Sequence, residues 1–238
     1  MATVELPLDK QGGRIRDMFA RVAPRYDLLN RLLSLSLDRV WRRRLASSLT
    51  LPAGARLLDL CSGTGDQAEA LRQRGYHVAA ADFCLPMLSR SRPKFARGAS
   101  PHPAPLQADA LRLPFRDGSF DGATVSFGLR NVADLDRALT EIARVVRAGG
   151  ELGVLEFTVP RWQPIRALYL LYFLKLLPAI GRAVSGDAGA YSYLPESVLR
   201  FPQNAEFARC LERHGFAATS SEGLSGGILA LYRARRSG

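Results

Sequence analysis

The stretch Arg56 to Asp66, RLLDLCSGTGD, constrains this chain more than any other feature. A short apolar run ends in an acid, a loop carrying Gly63 and Gly65 follows at once, and a helical stretch continues from Asp66 to Arg74. Glycines in such a loop let backbone amides approach a ligand at a helix N-terminus, so the segment reads as strand, binding turn and helix. Gly63, Gly65 and Ala68 also satisfy the loose G-x-G-x-x-G/A spacing of dinucleotide sites. The loop alone therefore leaves the ligand open.

The same unit recurs along the chain. His77 to Ala81 reads as a second strand ending at Asp82, Pro86 to Arg92 as a helix, Pro101 to Pro105 as a connecting loop and Asp121 to Phe127 as a strand. From Asp134 to Arg147, Leu135, Ala138, Leu139, Ile142, Val145 and Val146 recur at three- and four-residue intervals, the mark of an amphipathic helix. A strand from Glu151 to Phe157, a helix from Asn204 to His214 and a last strand from Gly227 to Tyr232 complete the alternation. Strands alternating with helices predict an α/β fold, doubly wound around a mostly parallel sheet. Residues 1–50 read as an N-terminal helical extension rich in arginine and leucine, and 51–238 as the main domain. Residues 161–201 interrupt the alternation and read as a helical lid insertion.

With 47% hydrophobic residues in 238, the chain has apolar material for one large domain with decorations. Cys61, Cys84 and Cys210 are sparse and show no metal-ligand spacing, which predicts no metal and, with no signal-like N-terminus, a cytoplasmic protein. The net charge of +11 is mostly arginine, and suits nucleic acid or an anionic membrane face. The arginines are not interleaved with aromatics suited to base stacking, which argues against nucleic acid. The most apolar run, Ala167 to Ile180, is interrupted by Lys175 and Pro178 and falls short of the roughly 20 residues a spanning helix needs. It can instead lie on a membrane surface, cover a lipid-like ligand, or form the interface of a homo-oligomer.

The acids choose the ligand. Asp59 closes the first strand immediately before the glycine loop, where a dinucleotide enzyme must seat a doubly negative pyrophosphate. A carboxylate there repels phosphate but suits S-adenosylmethionine, which carries an ammonium and a sulfonium charge. Asp82, after the second strand, can accept both ribose hydroxyl protons, and Asp109 with the Ala110 amide can read the adenine edge. Three acids after successive strands at one sheet edge point to a Rossmann-like class I S-adenosylmethionine-dependent methyltransferase.

Several longer motifs narrow this further. YDLLNRLLSLSLDRVW from Tyr26 to Trp41, SFGLRNV from Ser126 to Val132, RVVRAGGELGVLEFT from Arg144 to Thr158 and YSYLPESVLRFP from Tyr191 to Pro202 together resemble the menaquinone and ubiquinone biosynthesis C-methyltransferases. Asp38 departs from the pattern, standing where the family usually shows histidine, as do Ala148 in place of proline and Tyr232 in place of histidine. The resemblance implies that Thr64, Asp82, Asp109, Ala110 and Ser126 contact the cofactor. It also implies a prenylated quinol substrate, demethylmenaquinol becoming menaquinol, with a methoxy-benzoquinol of ubiquinone synthesis as the alternative. A non-catalytic scaffold is disfavoured by the intact Asp59, Gly63, Gly65 and Asp82.

A ring carbon attacks a sulfonium methyl only once a neighbouring phenol gives up its proton, so the site needs a base or a phenolate stabiliser. His77, His102 and His214 occupy a strand start, a proline loop and a helix end, and read as structural or exposed. Arg130 and Asn131 follow the strand ending at Phe127, at the carboxyl edge where ligands of such sheets lie. Arg130 is assigned to phenolate stabilisation or to orienting a water, against the alternative of a surface salt bridge. Tyr26, Asn30, Tyr191 and Tyr193 are further candidates for the substrate pocket.

Overall fold

The computed structural model describes residues 12–97, 100–172 and 188–238. Its strands are β1 (Arg56–Leu60), β2 (His77–Asp82), β3 (Ala104–Gln107), β4 (Phe120–Ser126), β5 (Val146–Phe157), β6 (Phe216–Leu224) and β7 (Leu229–Arg236). They form one sheet in the order β3-β2-β1-β4-β5-β7-β6, in which only β7 runs against its neighbours. The strand order reverses beside β1, which pairs with β2 on one side and β4 on the other. A ligand crevice opens at such a switch point, and that is where the glycine loop leaves β1.

Helices cover both faces, which is why β1 is a continuous apolar run rather than an alternating one. Leu58 and Leu60 pack with Leu139 and Ile142 of α6 (Leu135–Val145) and Phe207 and Leu211 of α9 (Ala205–Arg213). Leu57 points the other way, toward Ala68 and Leu71 of α4 (Asp66–Arg72) and Phe95 of α5 (Leu85–Arg97). Asp134 caps α6 by accepting from the Arg137 amide at 2.9 Å, and the helix ends at Val145 because the chain turns directly into β5.

Four strands depart from the sequence reading, β5 by starting at Val146 rather than Glu151. Pro101 to Pro105 is not only a loop, since β3 begins at Ala104 and includes Pro105. It is the outermost strand, where a proline needs no ladder donor on its free side. β6 has a polar, half-exposed sequence, FAATSSEGL, that carries no apolar signal, and it occupies the opposite edge. The last strand starts at Leu229 rather than Gly227, because Gly226 and Gly227 adopt positive φ in the turn before it.

The N-terminal extension forms α1 (Gly12–Val22), α2 (Tyr26–Leu33) and α3 (Leu37–Ser48), and it closes over the carboxyl edge of the sheet. The side chain of Leu45 lies so near β5 that a Cβ on Gly153 would meet it at 2.5 Å. Asp27 of α2 accepts from Thr64 Oγ1 in the glycine loop and pairs with Lys94 of α5, both at 2.6 Å. Within the expected insertion, α7 (Gln163–Leu171) and α8 (Ala188–Arg200) are helical. Phe173, Leu174, Leu176 and Leu177 lie outside the described residues, as does the side chain of Tyr191.

Candidate active site

The loop after β1 is built on left-handed backbone, with φ of +56° at Cys61, +57° at Gly63 and +84° at Gly65. Gly65 is doubly constrained, because an added Cβ would also fall 2.6 Å from the Phe95 ring. The turn presents its amides to Asp82. One carboxylate oxygen accepts from the Gly63 amide at 2.7 Å and the other from the Cys84 amide at 2.8 Å. The carboxylate thus bridges the loops after β1 and β2, and burial raises its pKa above the usual range despite both amides.

Around it lies a cavity of about 230 Å³. Of the residues expected to hold a cofactor, Gly63, Asp82, Asp109, Ala110 and Ser126 line it. Asp109 Oδ1 accepts from the Leu111 amide at 2.9 Å, which stiffens the turn beside Ala110. Ser126 donates to Gln67 Oε1 at 3.1 Å. Gln67 is a fully buried polar residue of α4 that the sequence reading did not single out.

Asp59, Thr64 and Gly65 stand behind this wall rather than in it. Thr64 serves the Asp27 contact, and Gly65 starts α4 against Phe95. Asp59 is fully buried and accepts from Thr124 Oγ1 of β4 at 2.9 Å. Burial pushes its carboxyl up to about 6, against the hydroxyls of Ser62 and Thr124 and the charge of Arg42.

A second cavity of about 290 Å³ adjoins the first, and Phe19, Tyr26, Phe127 and Asn131 belong to both walls. Phe127 holds a positive φ of +62°, a conformation that costs a non-glycine residue about 1–3 kcal/mol and clusters at functional sites. Its carbonyl accepts from Arg130 Nη1 at 2.6 Å and from Asn131 Nδ2 at 3.2 Å, while its ring tilts onto Phe157 and sits under the Arg42 guanidinium. The Oδ1 of Asn131 is buried without a hydrogen-bond partner among the described residues.

Arg130 lines this second cavity, but not as a free cation or a surface pair. Its Nη1 lies 2.5 Å from Glu156 Oε1, and Glu156 is wholly buried. Tyr26, Asn30 and Tyr193 line this cavity, together with Leu29, Leu33, Tyr169 and Tyr172. Burial pushes Tyr193 up to about 12, and its hydroxyl has no partner among the described residues. No histidine appears in either wall among the described residues. Asp38 and Arg42, both on α3, face the second cavity and were not expected there.

Residues 8–236 match the ubiE/COQ5 methyltransferase family. The demethylmenaquinone methyltransferase of Parafrankia sp. is 42% identical, with 97% of this chain and 97% of that protein aligned. A ubiquinone/menaquinone biosynthesis C-methyltransferase UbiE of Geobacter sp. is 43% identical over 94% and 97% of the two chains. Among solved structures, a SAM-dependent methyltransferase from Thermotoga maritima superposes with a TM-score of 0.67 at 19% identity, covering 93% of this chain and 99% of that one, which is a likeness of fold. Near-complete alignment, the glycine loop bridged by Asp82 and paired cavities at the sheet's switch point agree: this chain belongs to the ubiE/COQ5 methyltransferase family.

Proposed function

We propose that this enzyme moves the methyl group of S-adenosylmethionine onto a ring carbon of a prenylated quinol, with demethylmenaquinol as the substrate. The observation that carries the reading is the shared wall of Phe127 and Asn131 between a cavity lined by acids and glycine and a larger one lined by leucines and tyrosines. The first fits the donor's ribose at Asp82 and its adenine between Asp109 and Ala110. The second fits a flat ring with an apolar tail. When bound, the donor supplies an electrophilic methyl carbon.

The chain's residues must then hold the ring, keep water out and manage the phenolic proton. Asn131 offers its unpartnered Oδ1 at the junction. Arg130 is neutralised by Glu156, which weakens it as a phenolate partner and makes it a rigid floor that fixes the Phe127 carbonyl. The testing experiment is turnover of purified protein with reduced naphthoquinol and benzoquinol rings. Methylation of the naphthoquinol alone supports the reading, faster benzoquinol turnover selects the alternative ring, and no methylation of either removes it. Asp82→Ala should weaken donor binding roughly tenfold to a hundredfold by calorimetry, from the loss of a charged acceptor. An unchanged dissociation constant with native circular dichroism would take Asp82 out of the site.

The tail must come from a bilayer, and the cavity's outer rim suits contact with an anionic one. Leu35, at the rim, is 82% exposed on backbone with φ of +52°, and Leu171 of α7 is 61% exposed. Tyr172, next along, donates its hydroxyl to the Leu33 carbonyl at 3.0 Å, which brings these segments together. No helix among the described residues is long and apolar enough to cross a membrane. Wild type should sediment with anionic vesicles at low salt, and a folded Leu35→Asp, Leu171→Asp variant should stay in solution. Equal sedimentation of the two would rule out this face.

A further inference from the structure

We propose that Asp38 is the catalytic group that takes the phenolic proton of the ring, an assignment that rests on the quinol reading above. Asp38 lies in the first turn of α3 and is 4% exposed. Its Oδ1 accepts from Ser34 Oγ at 3.0 Å, and its Oδ2 is buried with no partner among the described residues. A buried carboxylate oxygen left without a donor is costly, and a ring hydroxyl entering the cavity would supply one. Among the described residues lining that cavity, Asp38 is the only carboxylate. Glu156, the nearest rival beneath the same wall, is occupied by Arg130 and by the Phe157 amide at 3.1 Å.

Placement on α3 joins the base to the rest of the site. Arg42 follows Asp38 by four residues, so both project from one helix face about one turn apart. Its guanidinium sits 5.2 Å from the centre of the Phe127 ring, on the wall shared with the donor cavity, and its Nε has no partner among the described residues. A hydroxyl facing Asp38 therefore loses its proton beside a buried cation that favours the phenolate. The O–H bond breaks and an Oδ2–H bond forms, leaving the electron pair on oxygen and raising charge at the ortho carbon. That carbon bonds to the methyl while the C–S electron pair stays on sulfur. The ring C–H proton then leaves to water as the pair returns to the ring, and Asp38 gives its proton back to the oxygen. One proton is released per turnover.

The test uses the full chain with a short-tailed quinol. Asp38→Asn, nearly identical in shape, should lower kcat by about a hundredfold or more while leaving donor affinity within twofold. The deficit should shrink to within about threefold on a ring analogue whose electron-withdrawing substituent leaves its phenol already ionised at the assay pH. An Asn variant that keeps a third of wild-type turnover, or one equally slow on the ionised analogue, would overturn the assignment, the second outcome marking a structural role. Should the Asn variant not fold, Asp38→His decides, because its kcat at saturating donor, where the donor-binding dependence carried by Asp59 drops out, should acquire a limb near about pH 6.5 that the wild-type kcat lacks. The other ionisable groups of that wall are Tyr26, Tyr169, Tyr172, Tyr193, Arg42 and Arg130, with Asp82 and Asp109 facing the neighbouring cavity and Asp59 buried behind it in both proteins. A folded His variant without that limb likewise overturns it. If wild type itself methylates no quinol, the substrate reading falls and takes this assignment with it, a result told apart by the inactive wild type.

Discussion

Arg130→Ala is expected to cost the fold about 3–5 kcal/mol, a large part of the stability of an ordinary domain. The reason is the partner it leaves behind. Glu156 is completely enclosed, and with Arg130 truncated its carboxylate keeps the Phe157 amide and a long contact of 3.4 Å from the residue 130 amide. The Phe127 carbonyl loses its 2.6 Å donor as well, on a residue already held at positive φ. Urea unfolding at neutral pH measures the loss. An apolar pair of similar volume, Arg130→Met with Glu156→Leu, should recover most of it, since no uncompensated charge then remains. If alanine alone costs less than about 1 kcal/mol, the pair behaves like an exposed one and the buried reading is wrong. Activity separates from stability here: the apolar pair should fold well yet turn over slowly, because Phe127 and Asn131 lose the polar floor that sets the junction of the cavities.

That pairing also marks the boundary of what sequence patterns reveal. Asp82 was legible at the cavity because it ends a strand, and the end of a strand fixes position at the sheet's carboxyl edge, whereas Asp109 reaches that edge through β3, whose stretch reads as a loop in the sequence. Arg130 was legible as a wall residue for the same reason as Asp82. Its partner was not, because Glu156 lies on the neighbouring strand β5 and nothing in the local pattern joins them. The same limit applies to the N-terminal helices. Their periodicity marks them as helices, but where a helix settles over a sheet depends on features such as the space at Gly153 for Leu45 and the Asp27 contacts with Thr64 and Lys94. Asp38 and Arg42 therefore entered the cavity unannounced, and Asp59 and Thr64, read as cavity residues, moved behind it. The edge strands escaped for a different reason, since β3 and β6 bury too little to need an apolar pattern.

Asp59 gives the second large effect, and its sign runs against the common carboxylate. Burial lifts its pKa from 3.8 to about 6, so the folded chain holds this proton more tightly than the unfolded chain does. Below pH 3.8 both states are protonated and the carboxyl imposes no penalty. As pH rises toward about 6 the unfolded state gives up the proton first, and stability falls, reaching a loss of about 3 kcal/mol once the folded carboxyl has ionised too. Asp27, Glu69, Asp121 and Glu141, whose pKa values are lowered, push the total the other way, so the whole-chain profile does not isolate Asp59. The difference from Asp59→Asn does, because those terms are common to both proteins. Between pH 4 and pH 7 the variant should gain about 2 kcal/mol on wild type in urea unfolding, and a difference that stays flat would show that Asp59 is not held protonated by burial. A positive charge arriving above the glycine loop would offset that cost. A cationic donor favours the ionised form, so wild type should bind S-adenosylmethionine more tightly above about pH 6 than below it, and Asp59→Asn should lose that dependence.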